Sequence, residues 1–192
     1  MKAIEIFTRM AIPAMWTAWI LYWLIAARSV KRTRWQEPIT ANALHGIPLL
    51  LCLILLVTPR WLPAMLSARV VPPGPVLPLV GALSVAGGLA FAVWARIELG
   101  DNWSSRVVIK EDHALVCGGP YRWVRHPIYS GLLLAVAGTA LAIGEWRGVL
   151  ALGFAAIGIL LRVRSEEIQM ALTFPAYEKY RRQTPALIPF VL

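Results

Sequence analysis

Long stretches without a charged residue recur along this sequence, and they constrain its fold more than any other feature. They cover residues 10–27, 44–57, 76–95, 128–143 and 148–161. A helix needs about 20 residues to cross the hydrocarbon core of a membrane, and these stretches reach that length alone or with flanking residues. Apolar residues make up 58% of the chain, and the mean hydropathy is +0.63. The sequence therefore predicts an all-α integral membrane protein with about five transmembrane helices.

Positive charge is distributed unevenly among the connections between these stretches. Three of them, 28–43, 96–127 and 162–192, carry 14 of the 19 lysine and arginine residues. With five spans, all three lie on one face, which the positive-inside rule makes cytoplasmic. The N-terminus is then outside and the C-terminus cytoplasmic. This topology, with membrane lipids as partners, explains the formal charge of +9 without a nucleic-acid partner.

The sequence divides at about residue 96 into two parts. Residues 1–95 contain three spans with short connections, whereas 96–192 contain a polar loop, a helical hairpin and a polar tail. The short turn at 144–148 makes the fourth and fifth spans antiparallel neighbours. Their inner ends therefore bring His126 close to Glu166.

The residues at this junction predict a cytoplasmic ligand pocket, because polar side chains are costly to keep at the mouth of a membrane helix. Pro127 is well suited to a first helical turn. The free N–H groups of that turn, reinforced by Arg125, favour an anionic ligand group. Arg162 and Glu166 share one helix face, and the glutamate can hold a hydroxyl pair, an amine or a sulfonium. The pocket thus separates sites for negative and positive charge.

Three further expectations concern the rest of the chain. Segments 107–109 and 114–116 predict a short extended hairpin or lid. Cys52 and Cys117 lie too far apart in the predicted topology for a disulfide, and no cysteine or histidine spacing typical of a metal site is present. Five glycines predict close helix packing. They are Gly81, Gly87, Gly88, Gly131 and Gly138.

Two polar motifs, separated by the hairpin, resemble a known superfamily. The first contains Leu115-Val116, Gly119-Pro120-Tyr121-Arg122 and Arg125-His126-Pro127-x-Tyr129-x-Gly131, and the second runs from Arg162 to Glu166-Glu167, followed by Phe174, Tyr177, Tyr180 and Ile188-Pro189-Phe190. Over roughly residues 90–192 the chain resembles the isoprenylcysteine carboxyl methyltransferase and phospholipid methyltransferase superfamily. Pro175 departs from the pattern, which commonly has glycine there, and we expect only a changed turn. The compact chain is similar to prokaryotic members, which implies the plasma membrane.

The resemblance implies a membrane methyltransferase that uses S-adenosylmethionine and a lipophilic or lipid-modified acceptor. The cofactor-binding residues that it implies are His113, Ala114, Leu115, Val116, Tyr121, His126, Pro127, Ile128, Tyr129, Glu166 and Glu167. Arg162 would face the acceptor. No catalytic base is assigned, since a carboxylate or thiolate acceptor needs none, while an amine or thiol would require His126 or a glutamate.

Two other interpretations remain open at the level of sequence. Steroid and sterol reductases, which use NADPH, have a similar C-terminal hairpin, but they usually carry an asparagine and an acidic residue where this chain has Ile128 and Leu132. The second open interpretation is a non-catalytic membrane scaffold. Arg122 and Arg164 fit membrane anchors as well as a ligand site. The sequence leaves open the acceptor, the methylated atom and the oligomeric state.

Overall fold

The structure, a computed structural model, describes residues 2–27, 33–36, 39–57, 63–100, 108–110 and 115–189. Its helices are α1 (Lys2–Ala26), α2 (Ile39–Val57), α3 (Val76–Leu99), α4 (Pro127–Ile143), α5 (Trp146–Thr173) and α6 (Tyr177–Gln183). Two short strands, β1 (Thr33–Gln36) and β2 (Val108–Lys110), accompany them. The predicted helical architecture is confirmed for the described residues, apart from this small sheet.

The two strands pair with each other in an antiparallel sheet. The sequence predicts instead that 107–109 and 114–116 form a short extended hairpin or lid, and the hairpin pairing is wrong for the described residues, because β2 pairs with β1. Residues 115–117 form no regular element, and Val107 and Ala114 lie outside the described residues. The sheet joins the α1–α2 connection to the α3–α4 connection, a long-range pairing that local alternation of residues does not reveal.

Glycines allow α3 and α4 to approach until their backbones touch. A Cβ atom added at Gly88 would lie 2.4 Å from the carbonyl oxygen of Gly131, and one added at Gly81 would lie 2.4 Å from that of Gly138. The two pairs define an antiparallel seam, as small residues do in membrane helices. Packing is therefore confirmed for these four glycines. The prediction of close packing is wrong for Gly87, where an added Cβ would meet nothing within 4 Å.

The long helices have the composition of membrane segments. Among the described residues, α3 and α5 are long and apolar enough to cross a membrane, while the apolar parts of α2 and α4 are shorter. Large apolar side chains face outward along the bundle, as in Leu83, which is 65% exposed. Such surfaces suit contact with lipid better than with water. Five helices occupy the predicted positions, and how many of them cross stays a prediction.

The turn between α4 and α5 closes the predicted helical hairpin. Gly144 ends α4 in the left-handed region with φ 66°, where glycine has no steric penalty. The carbonyl oxygen of Gly144 accepts a hydrogen bond from Val70 N at 2.9 Å. The two helices pack side by side, so the first residues of α4 and the last turns of α5 lie at the same end of the bundle.

Candidate functional site

The beginning of α4 and the end of α5 meet through hydrogen-bonded side chains, as the sequence predicts. The Tyr129 hydroxyl donates to Glu166 Oε1 at 2.5 Å. Arg162 Nε donates to the Tyr129 hydroxyl at 2.6 Å and lies 3.2 Å from Glu166 Oε1. The three residues form a closed triangle in which the tyrosine links a cation and a carboxylate.

His126 lies beside this triangle, between two carboxylates. Its Nδ1 is 3.5 Å from Glu166 Oε2, and its Nε2 is 3.4 Å from Glu167 Oε1. The same Glu167 oxygen accepts a hydrogen bond from Arg125 Nε at 2.8 Å. Glu167 therefore connects His126 to Arg125, while Glu166 connects it to the Tyr129–Arg162 pair.

The two carboxylates set the charge state of the imidazole. Burial by itself lowers the pKa of His126, but hydrogen bonds to Glu166 and Glu167 and their negative charges outweigh it, so the pKa is raised. Burial is also the largest influence on the pKa of Tyr121, which it raises, and the nearby Glu166 carboxylate adds to that rise. His126 thus tends to hold its proton, and Tyr121 stays neutral.

Tyr121 is fixed by a short 3₁₀ turn, Gly119–Arg122. Its side chain is buried, and its carbonyl oxygen accepts a hydrogen bond from the Tyr180 hydroxyl at 2.6 Å. Gly119 has φ 52°, and an added Cβ there would lie 2.8 Å from Glu98 Oε2. A carboxylate from the end of α3 therefore packs against this turn. Sequence reasoning missed Glu98, although the adjacent glycines 118 and 119 were a signal that something approaches closely.

The other predicted cofactor residues are placed as follows. Pro127 begins α4, as predicted, and is fully buried. Ile128, Leu115 and Val116 are half-buried. His113 and Ala114 lie outside the described residues. The structure brings Tyr121, the first residues of α4 and the glutamates of α5 to one end of the bundle.

Arg125 does not have the role that the sequence predicts for it. Instead of reinforcing an anion site, its guanidinium is bound to Glu167 and to the carbonyl oxygens of Arg181 and Thr184. Its backbone N–H donates to Pro185 O at 2.9 Å. These carbonyl groups belong to residues near the C-terminus, and local patterns at 119–131 gave no indication of them.

The described residues form a helical bundle in which two helices are long and apolar enough to cross a membrane, and a half-buried polar site lies at one end of a hairpin. A family model described as the isoprenylcysteine carboxyl methyltransferase (ICMT) family matches residues 80–172. The region that carries the candidate site therefore matches this family, and the resemblance stated above is confirmed.

Known proteins and a solved structure are also similar to this chain. The protein-S-isoprenylcysteine O-methyltransferase of Schizosaccharomyces pombe is 32% identical over 101 residues, covering 50% of this chain and 43% of that protein. The cobalt-zinc-cadmium resistance protein CzcN of Cupriavidus metallidurans is 31% identical over 120 residues, covering 60% and 50%. The chain thus spans about half the length of these relatives. A eukaryotic intramembrane Ras methyltransferase, ICMT, shares the fold with a TM-score of 0.50 at 20% identity, covering 80% of this chain and 52% of that one.

Proposed function

We propose that this protein is an integral membrane methyltransferase that uses S-adenosylmethionine to methylate a lipophilic acceptor. The observation that carries the proposal is the linked set of His126, Tyr129, Arg162, Glu166 and Glu167 at the inner end of the hairpin. Titratable side chains from two helices converge there in a buried place, which is typical of ligand sites.

The chemistry of these residues fits the cofactor. S-adenosylmethionine carries a cationic amino acid part and ribose hydroxyl groups, and it supplies a methyl group on an already activated sulfonium. The half-buried carboxylates of Glu166 and Glu167 suit the cationic and hydroxyl groups. Tyr121, together with the backbone around Leu115 and Val116, would contact the adenosine part. The protein then has to align the two reactants and exclude water, which together can contribute about 7–11 kcal/mol.

The electrostatics favour an acceptor that is already anionic. His126 lies between two carboxylates that raise its pKa, which favours its protonated form and so makes the ring less available as a base than an ordinary histidine. A carboxylate or thiolate needs no base, whereas a lipid amine does. Arg162, held by Tyr129 and Glu166, would orient the anionic group. We therefore propose an acceptor with a lipophilic body and an anionic end, such as an isoprenylcysteine-like carboxylate or a small thiolate.

The cellular setting belongs to the same proposal. The apolar outer surfaces of the helices would admit the acceptor from the lipid, and the cofactor would enter from the cytoplasm at the arginine-rich end. We place the chain in a prokaryotic plasma membrane with its N-terminus outside, as the charge distribution predicts.

Calorimetric titration of S-adenosylhomocysteine into detergent-purified protein tests the proposal. We expect saturable binding by the wild type and at least tenfold weaker binding by Glu166→Gln, because a charge-assisted hydrogen bond is lost. Glu178→Gln is the matched control, since Glu178 also pairs with an arginine four residues away but is exposed. It should bind like the wild type.

The opposite result has a specific meaning. If the folded wild type binds NADPH and not S-adenosylhomocysteine, the methyltransferase proposal is wrong and the reductase interpretation replaces it. If binding is found, transfer of a labelled methyl group to a panel of prenylated carboxylates, lipid amines and thiols identifies the acceptor class. Preference for an amine would contradict the proposed anionic acceptor.

A further inference from the structure

The segment 184–187 follows α6 and lies across the beginning of α4 with its carbonyl groups directed at it. Pro185 O accepts a hydrogen bond from Arg125 N at 2.9 Å, and Ala186 O accepts one from His126 N at 3.0 Å. The N–H groups that flank the start of a helix lack partners within the helix. Here backbone atoms from the far end of the chain satisfy two of them.

Side chains complete the contact. The Ser130 hydroxyl donates to Leu187 O at 2.5 Å, and Arg125 Nη1 donates to Thr184 O. Four consecutive carbonyl groups, 184 to 187, are thus bound by residues 125, 126 and 130. This segment lies beyond residues 80–172, the region that the family model matches.

Arg125 ties this segment to the candidate site. Its Nε and Nη2 lie 2.8 and 2.6 Å from Glu167 Oε1, and its Nη1 donates to Arg181 O, a carbonyl of the last turn of α6, at 2.9 Å. A planar guanidinium can serve several acceptors in fixed directions, whereas a lysine ammonium cannot reproduce this geometry. One side chain therefore connects α5, α6 and the segment that follows.

We propose that Arg125 is a positioning residue, and that segment 184–187, here called the strap, holds His126 and Glu167 in the orientation that cofactor binding requires. The proposal rests on the proposed function, because the orientation matters only if the cofactor binds there. The strap fixes the backbone of His126, and Arg125 fixes the Glu167 oxygen that the imidazole approaches. Both sides of the His126–Glu167 contact are thereby set from outside the cofactor pocket.

Four proteins test the proposed positioning role of Arg125 and the strap: the wild type, Arg125→Lys, Ser130→Ala, and Arg182→Lys as the control. Arg182 is a matched control because it pairs with a glutamate through Nε, as Arg125 does, but on the exposed surface of α6. Two quantities are measured for each, the affinity for S-adenosylhomocysteine and the hydrogen exchange of the amides of residues 125 and 126. Thermal unfolding of the same samples reports on stability.

We expect Arg125→Lys to weaken binding roughly tenfold and to speed exchange of both amides, since a charged hydrogen-bond network is broken while the positive charge remains. Ser130→Ala should change both quantities in the same direction by a smaller factor. Arg182→Lys should change neither. A residue with only a structural role would lower the unfolding temperature without changing the affinity of the folded protein.

The proposal is overturned if Arg125→Lys or Ser130→Ala folds and binds S-adenosylhomocysteine as tightly as the wild type. If Arg125→Lys does not fold, Ser130→Ala decides the question alone. Failure of the proposed function is a different result, in which the folded wild type binds no S-adenosylhomocysteine. That result also overturns the proposed positioning role of the strap. Unchanged amide exchange in the variants would contradict the hydrogen bonds between the strap and residues 125 and 126.

Discussion

The two ends of the α4–α5 hairpin both contain buried arginine–glutamate pairs, and they use them differently. At the turn, Arg147 Nε donates to Glu145 Oε2 at 2.6 Å, and its Nη1 donates to the carbonyl oxygens of Leu55 and Leu56 in the last turn of α2. This arginine serves a neighbouring glutamate and the unsatisfied end of a helix. Such a contact joins two backbone segments and leaves few hydrogen-bonding groups available to a ligand.

At the other end, the arginines contact side chains from another part of the chain as well as near neighbours. Arg162 and Tyr129 are 33 positions apart, and Arg125 and Glu167 are 42. The side chains of Arg147 and Arg125 are equally buried, at 9% exposure. Burial of an arginine therefore does not distinguish the turn from the candidate functional site. What distinguishes them is the gathering of two carboxylates, a histidine and a tyrosine around the second.

The largest effect should come from the turn. Arg147→Met removes the donor to the α2 carbonyls and leaves Glu145 unpaired, so we expect a loss of about 3 kcal/mol in unfolding free energy. Binding of S-adenosylhomocysteine by the folded fraction should not change. Thermal unfolding in detergent and titration of the same sample measure the two quantities. If fully folded Arg147→Met bound S-adenosylhomocysteine more weakly than the wild type, the distinction between a structural end and a ligand-binding end would fail.

The glycine seam between α3 and α4 should give the next largest effect. Gly88→Ala places a methyl group against the Gly131 carbonyl oxygen, and we expect a loss of about 1–3 kcal/mol, because closely packed backbones tolerate little added volume. Gly87→Ala is the adjacent control. Its Cβ meets open space, so it should be neutral or stabilising by up to about 1 kcal/mol. Equal losses in both variants, measured by thermal unfolding, would argue against the seam.

The sequence predicted the parts that depend on local or topological rules. The hairpin followed from a short turn between two apolar stretches, and the start of α4 followed from Pro127. The meeting of His126 with Glu166 followed from the hairpin alone. These features required no knowledge of how distant segments pack.

The parts that failed depend on long-range contacts. The partner of β2 lies far upstream, and the partners of Arg125 lie near the C-terminus, where the carbonyl groups that it binds are present in any sequence. Gly87 and Gly88 are adjacent and chemically identical, and only the rotation of α3 against α4 separates their roles. Backbone acceptors and helix rotation leave no signature in side-chain identity.

A smaller effect, confined to binding, is expected at the polar end. Tyr129→Phe removes the hydroxyl that joins Arg162 to Glu166 but keeps the ring. We expect about fivefold to tenfold weaker binding of S-adenosylhomocysteine, the equivalent of one net hydrogen bond. The unfolding temperature should change little, because the ion pair between Arg162 and Glu166 remains. A large loss of stability with unchanged affinity would assign this end the structural character of the turn.

The smallest effect should be a pH dependence that arises at the polar end. The pKa of His126 is raised above its ordinary value of 6.5, so the protonated imidazole stabilises the folded state, fully below about pH 6.5 and progressively less as pH rises through the folded value. Glu166, Glu167 and Tyr129 face the ring. The unfolding temperature of the wild type minus that of His126→Gln should therefore fall with rising pH, by on the order of 1–2 °C. A difference that grows with pH would mean that the imidazole is held neutral between the two carboxylates.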